Sequence, residues 1–292
     1  MLRALGGVPS IKQSRIYRLT DADAVPENTF VNIADEVFNT VHANDVSFFE
    51  EIAELVAEEP TAALDPERAG TLASIGIAHG RPFAPDDRLR GILDEAARIG
   101  AAMSRAILYK TRDPEAYRWK GRSWKNPFIG GSYEFLTDGA RNLDARTLFH
   151  YAATVITPAM AHAQVGAGSA YLYTAEDADG ALLDGAATYS LRVPANPPAK
   201  NFWSVDVYDT QTRSLLQSTA YPAVSSLTGD LEVEDDGSCV LWFGPTAPEG
   251  RESNWIPTLP GKSWWPVLRL YGPLEPWFDL TWQLPEIVRE RD

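Results

Sequence analysis

Cysteine is nearly missing from this chain. Cys239 is the only one in 292 residues, so an internal disulfide is impossible and a Cys-x-x-Cys metal or redox site is excluded. Lying between Ser238 and Val240 in an alternating stretch, it reads as a small buried hydrophobe. Histidine is scarce, with four. There is no His-Glu-x-x-His run, and His150 and His162 stand twelve residues apart without carboxylates at metal-ligand spacing. Both read as structural, no metal site is expected, and no motif calls for a cofactor. Positive charge is in short supply, with 26 Lys and Arg against 40 Asp and Glu. A net charge of −14 repels phosphate backbones, which argues against nucleic acid and anionic membrane as general partners. No run approaches the length of a membrane-spanning helix. The N-terminal MLRALGGVPSIK lacks the apolar centre of a signal peptide. As written, the chain is expected in the cytoplasm; an upstream segment would open the envelope or periplasm.

What is present is apolar and aromatic. Hydrophobic residues make up 45% and aromatics 11%, enough for a chain of this length to fold without staples. Seven of the nine tryptophans lie from Trp203 onward. That is the part in which apolar residues recur at every second position.

The first half has helical signals. Ser14 to Arg18 alternates like a short strand, which needs a partner. Phe30 to Val41 is ambiguous. Ser47 and Glu50 have the spacing of a capping box, followed by a stripe of Phe48, Ile52, Leu55 and Val56 that Pro60 ends. Asp65-Pro66-Glu67 opens a second helix. Asp86 opens a third, with the stripe Leu89, Ile92, Leu93, Ala96, Ile99, Met103 and Ile107. Tyr117, Trp119, Trp124 and Phe128 alternate with Arg118, Lys120, Arg122 and Lys125; these cations either border buried rings or help stack a ligand. Asp144 is expected to cap a fourth helix that Pro158 limits.

From Gly168 the period becomes two. Strands are expected at Ala170–Thr174, Thr188–Pro194, Phe202–Tyr208 and Trp265–Tyr271, with a hairpin from Leu231 to Phe243 turning at Asp236-Gly237. Glu176-Asp-Ala-Asp-Gly180 reads as a plain turn, since it lacks the remaining ligands of a calcium loop. Gly261-Lys262-Ser263 is no phosphate loop, because Ile256 stands where a glycine is required. The fold class is therefore α+β: a helical N-terminal segment followed by an antiparallel β domain. The expected divisions are a residual strand in 1–28, a mainly helical region in 29–164 and a β domain in 165–292.

Within NFWSVDVYD, Trp203, Val205 and Val207 point one way and Phe202, Ser204, Asp206 and Tyr208 the other. Arg269, between Leu268 and Leu270, needs a carboxylate if buried, from Asp206, Asp209 or Asp279. Asp206, Tyr208, Asp209 and Arg269 are thus the candidate polar, catalytic cluster. Trp203, Trp242, Trp255 and Trp282 are the candidate ligand-binding aromatics, with packing in the core as the alternative. Two functions follow: a soluble binding or structural protein with an aromatic groove for a small or carbohydrate-like ligand, or a hydrolase of glycosidic or related bonds using paired carboxylates. An α/β-hydrolase esterase is not supported: Gly166-Ala-Gly-Ser-Ala170 has the wrong order for Gly-x-Ser-x-Gly.

Several stretches together resemble the DUF1254/DUF1214 family: DVSFFEEIAELVAEEP (Asp45 to Pro60), LASIGI and GRPFAPDDRLRGIL (Leu72 to Leu93), LLDGAATYSLRVP (Leu182 to Pro194), NFWSVDVYD (Asn201 to Asp209), WFGP (Trp242 to Pro245), ESNWIPT (Glu252 to Thr258) and LRLYGP (Leu268 to Pro273). The resemblance implies that the β domain is a DUF1214 domain from about residue 165, an antiparallel β-sandwich of jelly-roll-like type, and that before it stands a DUF1254 β domain of which only the strand at Ser14 to Arg18 remains. That edge would be covered by a homo-oligomer or by a missing segment.

Overall fold

The computed structural model describes residues 12–30, 32, 36, 39, 41–218 and 220–290. Contacts divide the chain into two compact units, residues 1–40 and 41–292.

In the first unit Ser14–Arg18 is not the expected strand. A short 3-10 turn, Leu19–Ala24, follows it. The Asn28 amide does the pairing: its Nδ2 donates to Ser14 O at 2.7 Å and its Oδ1 accepts from Ile16 N at 3.2 Å. A carboxamide carries both a donor and an acceptor, so it serves an extended segment as a second strand would. Ile16 is 84% exposed, so the alternation marks no buried face. Among the described residues of this unit no strand is formed, so the expected strand edge is not seen there. Most of the ambiguous stretch from Phe30 to Val41 lies outside the described residues.

The second unit begins with three helices: α1 (Ser47–Glu58), α2 (Pro66–Ser74) and α3 (Asp87–Tyr109). The expected capping box at Ser47 does not form. Asp45 Oδ1 takes the Ser47 N–H at 2.9 Å, because a carboxylate is the stronger acceptor. Asp65 caps α2 through Arg68 N at 3.0 Å, and Asp86 caps α3 through Leu89 N at 2.7 Å, both as expected. The buried face of α3 is Leu93, Ala97, Leu108 and Tyr109, whereas Ile92, Ile99 and Met103 of the expected stripe are exposed, as is Leu55 on α1. The alanines of α3 make two neighbouring faces look equally apolar in sequence.

A small hairpin, β1 (Leu136–Thr137) and β2 (Ala140–Arg141), turns at Asp138 and Gly139, both at positive φ. Helix α4 (Leu143–Ala153) is capped by Asn142, which accepts from Ala145 N at 2.9 Å. Asp144, the expected cap, lies in the first turn, where its charge suits the helix dipole. Pro158 opens the short α5 (Pro158–Ala161).

Eight strands follow: β3 (Ser169–Tyr173), β4 (Tyr189–Val193), β5 (Ala199–Asp209), β6 (Ala223–Ser225), β7 (Cys239–Gly244), β8 (Trp255–Pro257), β9 (Trp264–Pro273) and β10 (Val288–Arg289), with α6 (Glu275–Phe278) before the last. They form two four-stranded sheets, β10-β4-β7-β8 and β3-β9-β5-β6. One core lies between the sheets: Tyr189, Leu191, Leu241 and Phe243 from the first meet Leu172, Trp203, Val205, Val207, Leu268 and Leu270 from the second. The architecture is α+β with sandwich-like sheets.

Two details depart from an all-antiparallel reading. β7 and β8 run parallel, pairing Trp242 with Trp255 and Phe243 with Ile256. The arm Leu231–Glu234 is not a strand, although the turn at Gly237 forms. The Asn254 amide replaces a neighbour: its Oδ1 accepts from Glu232 N at 2.9 Å, and its Nδ2 donates to Glu232 O at 2.8 Å and to Val240 O at 3.0 Å.

A second core covers the outer face of the β3-β9-β5-β6 sheet. Leu108 and Tyr109 of α3 and Ala145, Leu148 and Phe149 of α4 pack on Tyr173, Trp265 and Val267. The stretch from Tyr117 to Phe128 joins the two cores: Tyr117 and Phe128 pack against the second, and Trp119 and Trp124 belong to the first. Trp124 is fully buried, its Nε1 donating to Pro285 O at 2.8 Å. Lys125 is also fully buried, 3.2 Å from Glu176 Oε2 and 3.0 Å from Ser123 O. Its cation borders buried rings and is neutralised there. Among the described residues no helix is long and apolar enough to cross a membrane.

Candidate functional site

Strand β5 divides its side chains as the alternation requires. Trp203, Val205 and Val207 enter the sandwich core, and Ser204, Asp206 and Tyr208 emerge on the outer face. On β9 the outer row is Trp265, Val267, Arg269 and Tyr271, with Arg269 in register with Ser204 on one side and Tyr171 on the other. Arg269 is two-thirds covered and meets one of its three candidate carboxylates: its Nε lies 3.4 Å from Asp206 Oδ2. Ser204 Oγ donates to the same Asp206 oxygen at 2.7 Å. Arg269 also donates to the Tyr208 hydroxyl.

Asp206, Tyr208 and Arg269 therefore form one cluster, and Asp209 stands apart. Asp209 is paired with Lys262 and accepts from Gln211 N at 2.7 Å and Thr212 N at 3.4 Å. Asp279 is occupied by its own turn, accepting from Thr281 N at 2.9 Å.

Beside Arg269 the helical layer leaves a cleft of about 270 Å³. Phe128, Phe149, Ala152, Ala153 and Met160 form the helix side, and Tyr171, Tyr173, Tyr208, Trp265, Val267 and Arg269 the sheet side. The rings brace one another. Tyr208 and Trp265 have centroids 5.2 Å apart, Tyr173 and Trp265 5.6 Å, and Phe128 and Tyr171 6.0 Å.

The polar atoms here are donors. Burial pushes the Tyr208 phenol up, and the neighbouring Arg269 charge only partly opposes it, so the hydroxyl keeps its proton. Burial pulls the Arg269 guanidinium down, but hydrogen bonding to Tyr271 and the electrostatics of neighbouring Tyr208 and Asp206 outweigh it, and the group remains charged. Arg269 Nε and Trp265 Nε1 are buried without a hydrogen-bond acceptor. The ion pair to Asp206 is near Arg269 Nε but outside hydrogen-bond alignment. Other indole nitrogens are unpaired as well, among them Trp264 and Trp282, but those rings sit in the sandwich core, whereas Trp265 forms a wall of the cleft.

The four tryptophans selected from sequence are not brought together at this cleft. Trp203 and Trp282 are in the sandwich core. Trp242 and Trp255 are half-buried neighbours across the β7-β8 pair, and Trp255 Nε1 donates to Gly244 O at 2.9 Å. The residues missed are Trp265, Tyr171, Tyr173 and Phe149; Phe128 belongs to the ring-and-cation stretch already picked out from sequence. The alternation applied to β5 would have found the first, since Trp265, Val267 and Arg269 are every second residue of β9. The helix-side rings leave no such local trace.

His150 Nδ1 lies 2.9 Å from Arg146 O, and the ring lines a separate cleft between α1, α3 and α4. Burial pushes the Cys239 thiol up to about 11, so it carries no thiolate at neutral pH. Among the described residues no group of three or more His, Cys, Asp and Glu side chains could hold a metal ion.

The family described as protein of unknown function (DUF1214) matches residues 168–275, from the start of β3 to the start of α6. No curated protein matches the chain. Among solved structures, the chain is similar to the VPA0106 protein from Vibrio parahaemolyticus, with 17% identity and a TM-score of 0.42, over 91% of this chain and 59% of that one. It is also similar to an uncharacterised protein from Burkholderia cenocepacia, with 16% identity and a TM-score of 0.33, over 84% of this chain and 50% of that one. The chain thus spans between half and three fifths of the length of these two proteins.

Proposed function

We propose that the second unit binds a small ring-bearing ligand in the cleft beside Arg269, with the ligand's hydrogen-bond acceptors turned toward Arg269, Tyr208 and Trp265. The observation that carries this is the coincidence of unpaired donors with an aromatic enclosure. Trp265 Nε1 and Arg269 Nε have no acceptor, and both residues belong to the walls. Both atoms are closed off from solvent, and a buried donor left unsatisfied costs about 1–3 kcal/mol, so an acceptor that reaches either one through a shift of the side chain recovers that energy. A carbohydrate-like ring suits the site, because its C–H faces lie against tyrosine and phenylalanine and its oxygens accept hydrogen bonds at the edge. The resemblance of Asp45 to Pro60 and Leu72 to Leu93 extends the DUF1214 likeness upstream toward a DUF1254-type region. A hydrolase using two carboxylates is not adopted: no carboxylate lines the cleft, and Asp206 and Asp209 are engaged separately by Arg269 and Lys262.

The test is a titration of methyl glycosides and cyclohexanol, read by protein NMR at the Trp265 indole and neighbouring amides. Binding should shift these signals. Tyr208→Phe keeps the ring and removes the hydroxyl, and should weaken binding roughly tenfold, the worth of one hydrogen bond. Shifts confined to other surfaces, or unchanged affinity in Tyr208→Phe, would remove the support for this reading.

A further inference from the structure

We infer that Asp206 sets the charge of the ligand, so that the cleft admits an uncharged ring compound carrying a carbonyl or hydroxyl acceptor and rejects the corresponding carboxylate. This rests on the reading of the cleft as a ligand site, and it narrows the class of ligand that site takes.

An arginine at the end of an aromatic cleft would ordinarily mark a carboxylate site, since a guanidinium pairs well with a carboxylate. Here the position of counter-ion is already filled. Asp206 Oδ2 lies 3.4 Å from Arg269 Nε, and the two side chains are 12% and 31% exposed. Ser204 Oγ, donating at 2.7 Å, fixes the carboxylate in that orientation. Asp206 is also in register with Val267, a wall of the cleft, and two residues along the strand from Tyr208, another wall. Among the described residues Arg269 is the only charged one lining the cleft.

The local charge is therefore balanced before any ligand enters. An uncharged acceptor can take a hydrogen bond from Tyr208 or Trp265 without disturbing that balance. A carboxylate would bring a second anion to one cation, close to Asp206 and among rings that replace water. Like charges crowded in a poorly solvated site disfavour each other's ionised form. The same groups allow the preference to be inverted: with Asp206 uncharged, Arg269 becomes an unbalanced cation at the end of the cleft.

Benzamide and benzoate form a nearly isosteric pair that differs in this property at about pH 7.5. Each is titrated, by NMR at the Trp265 indole, into the full chain, Asp206→Asn, and the double variant Asp206→Asn with Arg269→Gln. The unaltered protein should favour benzamide by at least about tenfold, one ion-pair-sized step. Asp206→Asn should favour benzoate by a similar factor. The double variant removes both charges and should show little preference, and it keeps the test valid if Asp206→Asn alone does not fold. If the probes bind but the unaltered protein does not discriminate, or if the variants keep its preference, the assignment of Asp206 is overturned and the cleft remains a ligand site. If neither probe reaches the cleft while glycosides do, methyl glucoside and methyl glucuronide serve as the neutral and anionic pair, and equal affinity for the two overturns the assignment of Asp206. If no ring compound binds, the site and the inference fall together.

Discussion

At the scale of single residues, Asp209 shows what a buried carboxylate contributes when its partners are fixed. Burial alone would raise its pKa. The Lys262 contact and the N–H groups of Gln211 and Thr212 outweigh burial and hold it below the ordinary carboxylate value of 3.8. The folded pKa lies below the unfolded one, so the unfolded chain binds the proton more readily. The stabilisation is complete above the unfolded value and is lost as pH falls through the folded value. Asp209→Asn should therefore cost about 2 kcal/mol at neutral pH, in the range for hydrogen bonds to a charged group. Urea unfolding at pH 7, 5 and 3 should show the gap holding between the first two and narrowing at the third. A gap of constant size at pH 3 would mean that Asp209 acts by shape and not by charge. From sequence, the need of Arg269 for a carboxylate was legible, because a charge inside an apolar strand has few other outcomes. Which aspartate answers it was not, since Asp206 and Asp209 lie three residues apart on one strand and its register against β9 decides which of them meets Arg269. The tryptophans were legible as aromatic mass and not as a site, because six of the nine lie in the sandwich core.

At the scale of elements, the segment from Leu182 to Gly185 is the place where two loops meet most closely. Gly185 N donates to Lys262 O at 2.9 Å, Thr258 Oγ1 donates to Gly185 O at 2.9 Å, and Ser263 Oγ donates to Leu183 O at 2.8 Å. A Cβ on Gly185 would stand 2.1 Å from Leu259 O and 2.7 Å from Lys262 O, both backbone atoms that cannot swing away. The glycine is needed for approach, not for its φ. Gly185→Ala should cost about 3 kcal/mol or more, the scale of a core overpacking. Gly250 has φ +71 and open space, so Gly250→Ala should cost only the strain of the left-handed region, about 1–2 kcal/mol. Thermal unfolding of the two variants separates the mechanisms, and equal losses would sink the close-approach account. Caps at Asp65 and Asp86 were legible because capping is a local event within four residues. The first arm of the Leu231–Phe243 hairpin was misread for the same reason in reverse. Its turn is local and forms, but the arm's partner is Asn254, beyond β7 in sequence.

At the scale of the whole molecule, two periods could be read directly, helical before His162 and two-residue after Gly168. Each is written in neighbouring side chains. The layering could not be read, because the outer face of β9 looks in sequence like any solvent face until Leu148 and Phe149 of α4 are known to cover it. Nor does periodicity reveal that the first 40 residues form a unit by themselves. That division leads to a final prediction. Both cores are built from residues between Leu108 and Ile287. In the first unit Ile16 and Leu19 are 84% and 90% exposed, and Asn28 hydrogen-bonds to Ser14 and Ile16. None of the described residues before Val41 belongs to either core, and hydrophobic burial is the dominant favourable contribution to folding. A chain beginning at Val41 should therefore unfold cooperatively within about 4 °C of the full chain, the shift expected for roughly 1 kcal/mol at this size. It should also keep the near-ultraviolet circular dichroism of its packed tryptophans and the response of Trp265 to ring probes. Loss of that aromatic signature with retained far-ultraviolet signal would mean that the first unit is required for side-chain packing in the second.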